Sequence, residues 1–452
     1  MISDAVLWTY ALAPDVTVEP DDGGALLCTP ISRFRIEGRC EREMLELLAG
    51  DGCSEAEVCR QHQRGEPDVS AETSYAALLY RLDRAGLLAR RLSSRGHRLV
   101  SCIPSRPPPG ALPECLPQDV VRLSPRALAR NENGTLSVEH PGAWARLRID
   151  GRALLPLLHD LAIGRPAGEL AGAVAGCSEQ AILAVLALMR WCGLLDSGGE
   201  HDGWSSHDLL FHARTRYGYA RVPLGKAVAG GEAADEPAPI ASADEGARLV
   251  LPRPDLERLI AEDPPFALVS ERRRSARQHG SRALTLEQLS EFLFRTLHER
   301  GGRRPYPSGG SRYPLNSYLA VHRCGGLARG LYAYHPIRHE LLKVEERGAG
   351  FDRLLAEAAA AADVREPPHI LLVLAARHAR SERMYGDLAY SLILKEVGAV
   401  FQAAMMTAAV MGLATCPLGY GNSLLFSDLL GVSPLIETSV GELMIGTPAD
   451  AV

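Results

Sequence analysis

PSGGSRYPLNSYLAV, residues 307 to 321, joins a loop of small residues to an apolar run with strand character. Its neighbours decide the fold. Ser317 to His322 is β-rich, as are Leu331 to Tyr334, Glu340 to Val344 and Ile370 to Ala375. Upstream, Thr285-Leu286-Glu287-Gln288 is a capping box that opens a helix expected to run to about Arg300. Downstream, a long helix is expected over roughly Gly386 to Met411, and Glu442 to Ile445 reads as a last strand. Strands in hairpin-like succession, flanked by helices, argue α+β rather than a regular βαβ repeat. This piece spans residues 255–452.

The chain has 452 residues, 46% apolar and 23% charged, which fits a soluble multidomain protein and excludes wholesale disorder, collagen and disulfide miniproteins. A net charge of −6 offers no global basic field for nucleic acid or anionic lipid. Its ten cysteines are scattered, without zinc spacing, so neither a metal site nor a disulfide framework is expected. The opening MISDAVLWTYALAPDV lacks the basic start of a signal peptide, and a cytoplasmic location is expected. The uncharged run from Val397 to Ser427 is broken by Pro417 and reads as a buried helix followed by a loop, not a membrane span.

Two segments interrupt the composition: proline-rich Ile103 to Gln118, and Ala/Gly/Pro-rich Gly225 to Pro254, which reads as a linker. The pieces before and between them, residues 1–102 and 119–200, resemble each other. Ser32 to Arg39 matches Ala145 to Arg152, and Met44 to Ala49 matches Leu157 to Ala162, both at an offset of 113. After a shift, LLYRLDRAGLL (residues 78–88) lies on VLALMRWCGLL (residues 185–195). Each copy reads as a strand, a helix, a short helix begun near Ser54 or Ser178, and a last helix closed by Gly86 or Gly193. This is a winged-helix-like order. The helix Glu179 to Cys192 offers Arg190 as its only basic residue, too little for groove reading. A structural module, or a clamp for an extended peptide added to a strand edge, fits better than a DNA reader.

No Walker loop, strand-following GxGxxG, HExxH or GxSxG occurs. His335 and His339 flank Pro336 and read as a turn. Three segments remain. Glu271-Arg272-Arg273-Arg274-Ser275-Ala276-Arg277 sets guanidiniums and a hydroxyl at a spacing that suits a phosphate, although alone it reads better as a solvated cluster. Tyr306 to Pro314 lets backbone amides approach a flat ligand, or is a plain surface loop. Thr415-Cys416-Pro417-Leu418-Gly419-Tyr420, taken alone, is a helix-terminating turn.

As an ordered set these segments resemble the FMN-dependent nitroreductase superfamily. Within it, PSGGSRYPLNSYLAV and YGDLAYSLILKEVGAVFQ (residues 385–402) are similar to the SagB-type azoline dehydrogenases, which oxidise thiazolines and oxazolines in ribosomal peptides. The resemblance covers about Ser270 to Pro448. The paired amino-terminal segments resemble the peptide-clamp domains of cyanobactin-type oxidases. The resemblance implies a nitroreductase-like fold, FMN, a precursor peptide, a homodimer and a cyclodehydratase partner. It places Arg273, Arg274, Ser275 and Arg277 around the FMN phosphate and ribityl chain. Ser308, Gly309 and Gly310 would face the isoalloxazine, from the second subunit if the site is shared. Pro417, Leu418 and Gly419 would offer backbone donors near its reactive edge.

The family's Lys-Tyr pair, which supports proton removal, is Met384-Tyr385 here, leaving Tyr385 as the expected catalytic residue. Leu388, Ser391 and Ala399 stand where the family usually has Arg, Arg and His, whereas Glu396 and Gln402 keep their places. Methionine accepts no proton. The sequence therefore supports an FMN-dependent peptide dehydrogenase. Its alternatives are a degenerate flavin-fold scaffold, or an oxidoreductase for a small or carrier-bound substrate.

Overall fold

The computed structural model describes residues 6–21, 24–30, 32–50, 52–54, 56–57, 69–196, 198, 203–216, 248–344 and 350–449. Most of the short helix expected after Ser54, and residues 225–247 of the expected linker, lie outside them. The chain forms two compact units, Met1–Leu224 and Gly225–Val452.

The first unit opens with β1 (Val6–Leu12), β2 (Thr17–Asp21), β3 (Gly24–Cys28), β4 (Arg33–Glu37) and α1 (Arg39–Ala49). Helix α2 (Val69–Arg84) leads to β5 (Leu88–Ser94) and β6 (His97–Pro104). Next come β7 (Leu128–Glu132), β8 (Thr135–Glu139), β9 (Ala145–Ile149), α3 (Leu155–Asp160), α4 (Ala167–Ala173), α5 (Glu179–Trp191) and α6 (Ser206–Thr215). The two aligned segments share an order, β4 then α1 and β9 then α3. Helices α2 and α5 also end alike: Gly86 and Gly193 take φ of 68° and 65°, and Leu87 and Leu194 donate back to Leu82 and Met189.

The segments are not separate bodies. A six-stranded sheet in the order β1-β5-β6-β9-β8-β7 draws on both, and Leu92, Leu99 and Val100 share one core with Leu147, Ile182 and Leu186. The expected division between residues 102 and 119 thus falls inside a single unit. The free edge of β6 accepts β9, and the proline-rich stretch is only the loop between sheet strands. Strands β2-β3-β4 form their own small sheet.

The second unit holds β10 (Arg248–Val250), α7 (Leu256–Glu262), α8 (Phe266–Arg272), α9 (Leu286–Thr296), β11 (Leu315–Val321), β12 (Gly330–His335) and β13 (Glu340–Lys343). It continues with α10 (Phe351–Ala361), β14 (Ile370–Ala376), α11 (Ala379–Tyr385), α12 (Ala389–Met411), β15 (Ala414–Pro417), α13 (Ser423–Leu430) and β16 (Thr438–Gly446). Seven strands pair antiparallel in the order β10-β13-β12-β11-β14-β16-β15. Successive residues of β14 point to opposite faces, Ile370, Leu372 and Leu374 to one core and Leu371, Val373 and Ala375 to the other. Helices α9 and α12 cover the first face, α10 and α13 the second. Each fully buried leucine contributes roughly 1.5–3 kcal/mol.

Three expectations change. Residues 248–250, read as linker, form an edge strand on β13, so the unit's ordered structure begins before residue 255. Thr415 to Pro417 is not a turn but the end of strand β15; the helix has already stopped at Gly412, in the left-handed conformation (φ 63°). Helix α9 keeps its Thr285–Gln288 capping box but ends at Thr296, because His298 Nδ1 lies 2.6 Å from the Pro336 carbonyl and the chain leaves for the hairpin turn. Helix α12 is long and apolar enough to cross a membrane by length and composition. Here its Ile393, Val397, Val400 and Ala404 pack into the sheet core.

Candidate functional site

Two clusters form at one end of the seven-stranded sheet. Strand β11 starts at Leu315 opposite Ala376, which faces Thr438, and β15 ends at Pro417 opposite Leu443. The loop before β11 and the loop after β15 therefore leave from the same end.

The first cluster is cationic. After α8 the chain extends along β15: the Gly280 amide donates to the Thr447 carbonyl at 3.0 Å, and the Ala276 amide to the Thr415 carbonyl at 2.8 Å. Followed backwards, this course carries Arg273, Arg274 and Ser275 toward Pro417. Burial pushes the Cys416 thiol up, and the charge of Arg277 opposes that shift, which sets this guanidinium beside the strand end. Arg274, Ser275 and Arg277 are exposed and Arg273 half-buried. Among the described residues these three guanidiniums have no acidic partner. Uncompensated charges of this kind, with a hydroxyl among them, suit a phosphate.

The expectation for Pro417, Leu418 and Gly419 narrows. Proline has no N–H, and the Leu418 amide already donates to the Glu442 carbonyl at 2.9 Å. Gly419 is exposed and is left as the backbone donor of the three.

The second cluster is built around residues 306–313 and is largely self-satisfied. The Tyr313 amide donates to Ser308 Oγ at 2.9 Å, while the Ser308 hydroxyl hydrogen-bonds the Glu396 carboxyl. Ser308 Oγ is thus engaged within the loop and the residue is half-buried, while Gly309 and Gly310 present the backbone. Gly310 takes φ 57°, and a Cβ there would fall 2.8 Å from both Met384 Sδ and Tyr385 Oη. Only glycine lets the loop close this tightly on the 384–385 pair. Tyr385 is thus brought to Gly309 and Gly310, and among the described residues no contact joins it to the arginine cluster.

Beneath the loop, Arg304 donates to Tyr306 Oη at 3.0 Å, to the Leu315 carbonyl at 3.2 Å and to Glu299 at 3.2 Å. Burial pushes the Tyr306 hydroxyl up to about 12. Glu396 is 5% exposed, and its Oε1 has no hydrogen-bond partner. Burial raises its carboxyl to about 7 against the opposing pull of Ser308 and Arg304. Neighbouring Lys395 is exposed on another side of α12. Arg304 was not singled out by sequence, and Tyr306 only as the first residue of its loop; an isolated Arg in an Arg-rich chain carries no signal.

Comparison with known proteins adds the family. The nitroreductase family profile matches residues 271–447, and a cyanobactin oxidase (ThcOx) profile matches residues 121–221. A protein of Methanocaldococcus jannaschii named as a nitroreductase is 33% identical over 194 residues, 42% of this chain and 93% of its own. Among solved structures, a nitroreductase-type protein from Ralstonia eutropha JMP134 is 24% identical with TM-score 0.39, covering 47% of this chain and 94% of its own. The Escherichia coli microcin synthetase McbBCD complex with truncated pro-MccB17 is 20% identical with TM-score 0.34, covering 39% and 71%. Through its carboxy-terminal unit the chain belongs to the nitroreductase family of oxidoreductases.

Proposed function

We propose that the protein is an FMN-dependent dehydrogenase that oxidises azoline rings to azoles in a ribosomally made peptide, with the amino-terminal unit holding that peptide. The observation that carries this reading is the uncompensated Arg273, Arg274 and Arg277 set, tied by Ala276 to the strand that ends at Pro417. This donor set fits FMN: guanidiniums and Ser275 for the phosphate and ribityl chain, and the Gly419 amide for the ring edge. Bound there, FMN supplies a two-electron acceptor. Azoline oxidation also releases a proton from the adjacent carbon. Tyr385, beside the Gly310 backbone, would relay that proton, passing its own hydroxyl proton to solvent or a neighbouring base as it accepts the substrate's, and Glu396 lies under the same loop. A homodimer completes the site by setting the Gly309–Gly310 loop and Tyr385 of one copy against the arginines of the other.

The peptide reading is supported by the cyanobactin oxidase match and by an open strand edge. Among the described residues β4 pairs only with β3, and its Arg33, Phe34 and Arg35 are exposed, so an extended peptide can add there. Its sequence counterpart β9 is paired on both sides. The precursor peptide would reach this enzyme from a cyclodehydratase partner in the cytoplasm.

The test is incubation of purified yellow protein with an azoline-bearing precursor peptide, read by mass spectrometry. Loss of two hydrogens per ring, with FMN as the chromophore freed on denaturation, supports the reading. A colourless protein that takes up no FMN overturns it. One observation favours a second reading: a thioether, Met384 Sδ, stands beside Tyr385 at the loop. If flavin binds but no azoline peptide reduces it, the protein is a peptide-binding scaffold of the same fold.

A further inference from the structure

On the sheet face opposite α12, a cavity of about 440 Å³ opens between α10 and the loop that follows Pro417. Its size lies within the roughly 300–1,000 Å³ range of small-molecule sites. Leu354, Ala358, Leu371 and Leu418 supply apolar wall, and two carboxyl groups, Glu357 and Glu442, face it. It belongs neither to the arginine cluster nor to the Gly309–Gly310 loop.

Glu442 is the unusual member. It sits in mid-strand on β16 opposite Val373 and is 6% exposed, where the strand continues as buried Leu443, Met444 and Ile445. Among the described residues no Arg, Lys or His pairs with it; Ser439 is the hydrogen-bonding group that acts on its carboxyl. Burial accordingly raises that carboxyl above its ordinary range. The loop is shaped around it, since a Cβ at Gly421 would fall 2.2–2.3 Å from the carboxyl atoms. An acid without a counter-charge costs stability in an apolar wall, and a cation that enters the cavity removes that cost. Glu357, at the same cavity, is held low by hydrogen bonds from Asn422 and Arg353 and is already ion-paired with Arg353, so Glu442 is the carboxyl left to meet a cation there.

We infer that this cavity is a binding site for a small apolar amine, whose ammonium group pairs with Glu442 and whose hydrocarbon part fills the space between Leu354, Leu371 and Leu418. The cavity shares Leu418 and Tyr420 with the loop whose Gly419 amide is assigned to the flavin edge, but the pairing with Glu442 does not rest on that assignment. A charge-assisted hydrogen bond is worth about 1.5–3 kcal/mol, or roughly 10- to 100-fold in affinity.

The test is calorimetric titration of the full-length holoprotein with 2-phenylethylamine, and with 2-phenylethanol as the neutral isostere. The amine is expected to bind saturably and at least about tenfold more tightly than the alcohol. Glu442→Gln, close in shape, is expected to remove that preference. Leu424→Trp, at an exposed rim position, is expected to block the amine while leaving Glu442 intact. Absence of amine binding, equal binding of amine and alcohol, or binding unchanged by both substitutions would each overturn the assignment. If Glu442→Gln fails to fold, Leu424→Trp and the alcohol decide alone.

Discussion

The two clusters at the end of the carboxy-terminal sheet contain the same kind of side chain and use it in opposite ways. Arg304 is spent inside the protein: it holds Tyr306, the Leu315 carbonyl and Glu299, and its guanidinium lies 4.7 Å from the Tyr313 ring. Arg273, Arg274 and Arg277 are exposed or half-buried and have no acidic partner among the described residues. The difference separates architecture from recognition. A guanidinium whose donors are satisfied by its own chain shapes a loop, whereas a set left unsatisfied is matched to something the chain does not contain.

Substitutions can break this contrast. The largest expected effect is at Tyr385. Tyr385→Phe should leave FMN bound and slow substrate-dependent flavin reduction by about 10²- to 10⁴-fold in single-turnover kinetics. An unchanged rate would mean that the tyrosine only packs against Gly310. Met384→Lys, beside it, should raise azoline oxidation if the thioether has damped the reaction.

Arg304→Ala should destabilise the carboxy-terminal unit by about 3–5 kcal/mol in denaturant unfolding, because it strands the buried Tyr306 hydroxyl and Glu299. A loss below about 1 kcal/mol would place Arg304 with the recognition group. The double change Arg274→Ala/Ser275→Ala should do the reverse. Exposed positions of this kind alter stability by only about 0.5 kcal/mol, while FMN affinity should fall at least about tenfold in fluorescence titration. Unaltered FMN affinity would remove the arginine cluster from the site.

A further expectation concerns pH. The Glu396 carboxyl titrates at about 7 in the folded chain against an ordinary 4.5. Between those values the folded state binds more protons than the unfolded one, so stability declines as pH rises through the window. Glu396→Gln should flatten that slope. Wild type and variant should differ by a constant below about pH 4.5, and the variant should gain relative to wild type up to about pH 7. Parallel pH profiles would show that the carboxyl titrates in the fold as it does in the unfolded chain.

Much of the architecture was legible because it follows from periodicity. The capping box at Thr285, the alternating faces of β14 and the apolar run of α12 each depend on neighbours in sequence. Edge strands β10 and β15 were not legible. They have three and four residues, and they exist because β13 and β16 offer free edges, which no local pattern encodes. The site divides in the same way. The Arg-Arg-Ser-x-Arg, Ser-Gly-Gly and Pro-Leu-Gly motifs could be read directly. The engagement of Ser308 Oγ within its loop and the loss of the Leu418 amide to Glu442 depend on strand register and on what lies under a loop.

The six-stranded sheet of the amino-terminal unit carries a consequence for its unfolding. Strand β6 is bonded to β5 on one side and β9 on the other, so two segments of similar sequence share one ladder. Leu92, Leu99 and Val100 of the first lie in the core of the second, while the first keeps a separate core around Leu27, Leu45 and Leu78. The second segment therefore cannot keep its interior once β5 and β6 leave it. Amides from β5 to β8 should exchange hydrogen for deuterium through one concerted opening, and a chain cut between residues 104 and 120 should leave the second half unfolded on its own. Whatever similarity the segments began with, the later one now borrows part of its interior from the earlier.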